Sequence, residues 1–232
     1  MNFVFISPNF PPNWYLFCVR LREAGANVLG IGDAPYHELR PELQHALSEY
    51  FRVDDMHSYD QLVRALGHLT HRHGKLDRLD SLNEYWLETE ARLRTDFNIP
   101  GIKNSDIARM KRKSLMKRLF ERSGLRVGRG KVCRSPRAVR EFIGLVGYPV
   151  VAKPDAGVGA AATYKLETDD DVRRFLADKP AIDYILEEFL DGTLLTYDGL
   201  INRRGEVVFG SSFYYSQGVM EAVNEDTDIW YC

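Results

Sequence analysis

The sequence predicts an α/β protein in two parts. A parallel-sheet domain covers residues 1–103, a helical connection covers 104–128, and a smaller α+β unit follows from residue 129. Three observations carry this. Short apolar runs alternate with amphipathic segments up to residue 103, as parallel strands and their crossover helices do. From Gly130 onward the order changes, and strands follow one another more closely. Within that second part a lysine, Lys153, closes a short apolar strand directly before a glycine-bearing turn.

The elements follow in order. Residues 3–6 form a buried strand. Residues 14–24 are amphipathic and stop at Gly25, a residue suited to ending a helix. Residues 27–31 form a second strand, 40–47 a short helix and 50–53 a third strand. Ser58 caps a helix running to His73. Residues 79–82 make a fourth strand and 85–97 a helix. Ligands on such sheets gather beyond the C-terminal strand ends, where Asn9, Asp33, Asn83 and Glu84 stand. Residues 104–128 read as one basic amphipathic helix and its exit, capped at Asn104 or Ser105 and ended by Gly124, with Met110, Leu115, Leu119 and Phe120 on its apolar side. Then come a strand at 131–133, a helix at 136–146, a strand at 149–153 and a strand at 163–166. Thr168 caps a helix to Ala177, and strands at 184–189, 195–202 and 206–214 follow.

Composition narrows the function. The chain has 232 residues, 44% hydrophobic and 28% charged, with a formal charge of −2. That balance gives no basic face for a nucleic acid. No apolar run approaches the ~20 residues of a membrane span, and with no basic stretch before a long apolar segment at the start, no secretory leader is expected. Cys18, Cys133 and Cys232 are far apart and odd in number, which predicts free thiols in a reducing cytoplasm.

The chemistry concentrates in Lys153-Pro154-Asp155-Ala156-Gly157-Val158-Gly159. An ammonium at a strand end is costly to bury unpaired, and a phosphate would compensate it. Glycines let the following backbone turn N–H groups toward an anion. On these residues alone, an exposed Lys-Pro turn into a plain hairpin is equally open.

Two more stretches bear on that choice. Upstream stands Lys113-Ser114-Leu115-Met116-Lys117, ending in Ser123-Gly124-Leu125. Downstream stand Ile185-Leu186-Glu187-Glu188-Phe189-Leu190-Asp191-Gly192 and Tyr197-Asp198-Gly199-Leu200-Ile201. In order and spacing the three stretches resemble the ATP-grasp superfamily, the fold of biotin carboxylase, carbamoyl-phosphate synthase and D-alanine–D-alanine ligase. The resemblance implies a Rossmann-like pre-ATP-grasp domain at 1–103, a linker helix at 104–128, a lid subdomain at 129–187 and the start of an incomplete central subdomain at 188–232. It implies that Lys113 and Lys153 reach the nucleotide phosphates, and that Gly157 and Gly159 belong to the lid loop. Glu187 would stand near the adenine amino group. Backbone groups of Glu188 and Leu190 would read the adenine edge, with Phe189 packed beside the base.

The implied activity is an ATP-dependent carboxylate–amine or carboxylate–thiol ligase working through an acyl phosphate, with ATP and Mg2+ as cofactors and a small carboxylate as partner. A homodimer is compatible with this. Asn83 and Glu84 are substrate candidates by position alone; helix capping is the competing reading.

The sequence also departs from the family pattern. Leu194 falls where a ribose-binding carboxylate is usual, and Asp191 or Asp198 would have to replace it. Ala160-Ala161-Ala162 stand where a serine and a glycine are common. Glu221, Glu225, Asp226 and Asp228 lack the family's metal-binding spacing, so no metal ligand is assigned within the chain. The expectation is therefore a part inactive alone, or a degenerate member that binds nucleotide without catalysis.

Other signals carry bland readings. His68, His71 and His73 read as exposed polar residues, and Asp169-Asp170-Asp171 as the acidic first turn of a helix. No GxGxxG, P-loop, GxSxG or HExxH pattern occurs.

Overall fold

The computed structural model describes residues 1–157, 162–202, 204–218, 222 and 226–232. Two compact units make up the chain, Met1–Lys111 and Arg112–Cys232. Among the described residues no helix is long and apolar enough to cross a membrane.

The first unit runs β1 (Asn2–Ile6), α1 (Tyr15–Glu23), β2 (Asn27–Gly32), α2 (Pro41–Ala46), β3 (Glu49–Arg52), α3 (Tyr59–His73), β4 (Arg78–Asp80), α4 (Leu87–Asp96) and α5 (Ile107–Lys111). Its sheet is parallel throughout, in the order β3-β2-β1-β4. Alternate residues of β1 enter separate cores: Val4 and Ile6 join Leu29 and Ile31 on one face, and Phe5 joins Val28 on the other. Both faces are covered, so the strand reads as an unbroken apolar run. On α3 the stripe Leu62, Ala65, Leu66 and Leu69 is fully buried; each leucine contributes roughly 1.5–3 kcal/mol. Gly74 ends this helix at φ +78, a conformation suited to glycine.

A buried polar knot fixes the end of β4. Glu90, fully buried, accepts from the Ser81 N–H at 2.7 Å and from Arg94 at 2.9 Å. Arg94 also donates to Asp80 at 3.1 Å and to the Leu79 carbonyl at 2.7 Å. Burial, with the Asp80 charge added, pushes the Glu90 carboxyl above its ordinary range. Asn83 lies just beyond.

The second unit runs α6 (Lys113–Arg122), β5 (Gly130–Val132), α7 (Pro136–Val146), β6 (Val150–Pro154), β7 (Tyr164–Leu166), α8 (Asp169–Asp178), β8 (Tyr184–Glu188), β9 (Leu195–Ile201) and β10 (Val207–Tyr214). An antiparallel sheet has the order β5-β8-β6-β7, and β9 pairs with β10 separately. One face of the larger sheet, with Val150, Ala152, Leu166, Tyr184 and Leu186, buries against Val139 and Phe142 of α7 and Val172 and Phe175 of α8. The Asp169 to Asp171 run opens α8 as expected, and Thr168 with Asp171 forms a reciprocal capping box. The β9–β10 hairpin leaves Leu195, Tyr197, Leu200, Ile201, Val207, Val208 and Phe209 exposed.

The single helix read over 104–128 is two helices, α5 and α6, separated at Arg112, which is extended at φ −97 and ψ 116. Arg112 forms a bridge with Ala156, and the Lys113 N–H donates to the Asp155 carbonyl at 2.8 Å. Residues far away in sequence thus take the backbone bonds that would have continued the helix.

Candidate functional site

The face of the second unit's larger sheet opposite α7 and α8 gathers the predicted residues. Directly opposed residues of antiparallel strands share a face. One transverse row reads Lys165 (β7), Val151 (β6), Glu187 (β8) and Gly130 (β5). Lys153 and Ile185 form the next row on that face. The register therefore sets Lys153 diagonally beside Glu187, and the two side chains pair. Lys117 of α6 approaches the other carboxylate oxygen at 2.9 Å and donates to the Gly128 carbonyl at 2.6 Å. Burial alone would raise the Glu187 carboxyl; hydrogen bonds and charge from Lys153 and then Lys117 outweigh it and hold the group below its ordinary range.

Gly130 makes room for this arrangement. A Cβ there would lie 3.0 Å from Lys117 Cε and 3.2 Å from Glu187 Cγ. Lys165 lies 4.8 Å from the Phe189 ring centre, at cation–π distance, and 2.9 Å from Glu167.

The turn after β6 is anchored to α6. The Lys113 ammonium donates to the carbonyls of Pro154 at 3.0 Å and Gly157 at 3.3 Å. Asp155, 2% exposed, accepts from the Ser114 N–H at 2.8 Å and its hydroxyl at 3.0 Å, while Arg112 stands 3.7 Å away. A carboxylate from a distant loop thereby caps α6. Gly157 has φ +149, where a side chain would be strained. Gly159 lies outside the described residues, as do Ala160, Ala161, Glu221 and Glu225. Asp155→Ala should cost the second unit about 2 kcal/mol, the scale of a lost cap with charge-assisted bonds. Urea unfolding followed by fluorescence reads this; an unchanged midpoint would show that the cap contributes nothing.

At the end of β8, the Glu188 N–H donates to the Arg129 carbonyl at 3.0 Å. Its carboxylate accepts from the Arg129 N–H at 2.5 Å and from the guanidinium at 2.7 Å, bonds that hold it below its ordinary range. The Leu190 N–H donates to no group among the described residues, and the Leu190 side chain is 68% exposed. Leu194 uses its carbonyl to accept from the Tyr215 N–H.

Elsewhere, Asn83 accepts from the Tyr85 N–H at 3.0 Å as a cap, and the Glu84 carbonyl accepts from Lys111 at 3.2 Å. Of the histidines read as exposed polar residues, His68 is exposed and His73 half-buried, and both are engaged. His68 and His73 converge on the Glu49 carboxylate at 2.5 and 2.7 Å, which adjacency in sequence gave no means of foreseeing. Among the described residues no three His, Cys, Asp or Glu side chains are placed to hold a metal ion.

Sequence reading gave no role to Lys117, Asp155, Lys165 or Arg129. Lys117 carried a signal: it stands one helical turn after Lys113, hence on the same helix face.

No protein-family profile matches the chain. Curated relatives include the carbamoyl phosphate synthase large chains of Deinococcus radiodurans, 33% identical over 100 residues, and of Deinococcus deserti, 31% identical over 100 residues. Each match covers 40% of this chain and 10% of the relative. Among solved structures, the biotin carboxylase domain of Hydrogenobacter thermophilus 2-oxoglutarate carboxylase, with MgADP, ADP and bicarbonate, superposes with a TM-score of 0.72 at 17% identity, covering 91% of this chain and 49% of that one. The ADP complex of N5-carboxyaminoimidazole synthetase from Staphylococcus aureus also gives 0.72, at 13% identity, covering 94% and 55%. This chain thus spans about half the length of those structures and a tenth of the curated relatives.

Proposed function

We propose, from the premise that this chain has the ATP-grasp fold, that it is the nucleotide-binding part of an ATP-dependent ligase acting on a small carboxylate. The observation that carries this reading is Lys153 and Glu187 side by side on one sheet face, next to the glycine turn. Lys153, with Lys113 at that turn, would neutralise the phosphates, and Gly157 would let the loop backbone approach them. Glu187 would accept from the adenine amino group. The carbonyl of Glu188 and the N–H of Leu190, unpaired among the described residues, would read the ring edge, with Phe189 against its plane.

In the reaction a carboxylate oxygen attacks the γ-phosphorus and ADP leaves. An amine or thiol then attacks the acyl carbon and phosphate leaves. The lysines would stabilise charge and position the phosphates rather than form a covalent bond to substrate. Magnesium, implied by the resemblance, finds no fitting donor set among the described residues, so no step is routed through it.

A second reading, nucleotide binding without catalysis, is favoured by Leu194, which has no group to hold the ribose hydroxyls. Calorimetric titration of ATP, with and without magnesium, tests both. Saturable binding supports the site, and absence of binding under both conditions overturns it. ADP formation by the full-length protein that contains this part, when a mixture of small carboxylates and amines is added, separates the ligase from the binding module.

A further inference from the structure

We propose that Lys117 is a positioning residue: the standing counter-ion of Glu187, keeping that carboxylate charged and oriented when Lys153 moves onto the phosphates of a bound nucleotide. The proposal rests on the nucleotide reading above and adds a role for a residue on which that reading makes no demand.

Glu187 has two ammonium partners, and they are held differently. Among the described residues Lys153 pairs with Glu187 alone, and it is 30% exposed at the end of β6, beside the glycine turn. Lys117 is 19% exposed and is also bound to the Gly128 carbonyl at 2.6 Å. Its stem fills the space left by the missing side chain of Gly130. Lys153 can exchange one anion for another, whereas Lys117 would lose a backbone bond and its packing. If Lys153 left a Glu187 that had no second partner, a carboxylate only 13% exposed would remain uncompensated. Such a group takes up a proton. A protonated Glu187 would turn one oxygen into an O–H donor and leave the adenine amino group only a neutral carbonyl oxygen, a weaker acceptor than the carboxylate.

Among the described residues, the charged groups around Glu187 on this face come from three elements: Lys117 on α6, Lys153 on β6 and Lys165 on β7. Lys165 lies across Val151 from Glu187 and engages Phe189 and Glu167. Arg129, before β5, is occupied by Glu188. Lys117 is thus the charge placed to remain on Glu187.

The test has two arms. In nucleotide-free protein, carbon-13 NMR follows the Glu187 carboxyl in Lys153→Met and in Lys153→Met/Lys117→Met, with Glu187→Gln assigning the resonance. Glu187 should titrate at least about one unit higher in the double variant; equal titration in both overturns the proposal. In the second arm, ATP is titrated by calorimetry at about pH 6.5 in two buffers of different ionisation enthalpy, which reads proton linkage. Lys117→Met should take up close to one proton more than wild type on binding, with weaker affinity, and Lys117→Arg should abolish the extra uptake. Wild-type affinity without extra uptake in Lys117→Met overturns the proposal even if the nucleotide reading stands. Failure of wild type to bind ATP removes that reading instead, and the first arm still decides whether Lys117 holds Glu187.

Discussion

Lys153→Met should weaken ATP binding by roughly 50-fold, the scale of losing one partner of a shielded charge pair. Methionine keeps a flexible apolar stem, so the change removes mainly the ammonium. The loss is smaller than an isolated lysine–phosphate contact would suggest, because binding in wild type must first separate Lys153 from Glu187. Calorimetry with ATP on both proteins reads the difference. Equal affinities would remove Lys153 from the site and leave the exposed Lys-Pro turn as the better account of this strand end. The variant should remain folded, since Lys117 still neutralises Glu187 at 2.9 Å.

Glu187→Ala should be the more damaging change to the fold. It leaves two ammonium groups, 19% and 30% exposed, facing each other without their shared carboxylate. Breaking such a pair from one side costs about 3 kcal/mol, measured as the shift in unfolding free energy. Acidity supplies a second readout. The folded carboxyl is held below the unfolded value of about 4.3. Its contribution is therefore complete above that unfolded value and is lost as pH falls through the folded one. The stability gap between wild type and Glu187→Ala should be constant above about pH 5 and narrow below it. A gap undiminished at the lowest pH where wild type stays folded would assign the loss to packing rather than charge.

Much of this architecture was legible because it depends on residues close together in the chain. Strand and helix periods, the glycine stops after α1 and α3 and the Thr168–Asp171 box each involve chemistry within a turn or two. The Lys153–Gly157 turn and the order of the three motifs were readable for the same reason, and they pointed to the fold that the structural comparisons bear out.

Only the tertiary structure decided which charges meet. The sequence contains Lys117 and Glu187, but nothing local says that β5 will lie beside β8 with Gly130 opposite Glu187, opening the space through which Lys117 reaches it. Nor does helix propensity stop a helix at Arg112; the Asp155 loop does, by capping α6. Glu49 gathers His68 and His73 because β3 and α3 pack together. Periodicity and capping follow from short-range sterics and hydrogen bonding, so they are written along the chain. Pairing of buried charges follows from strand register and from where a side chain is missing, and those exist only once the sheet has formed.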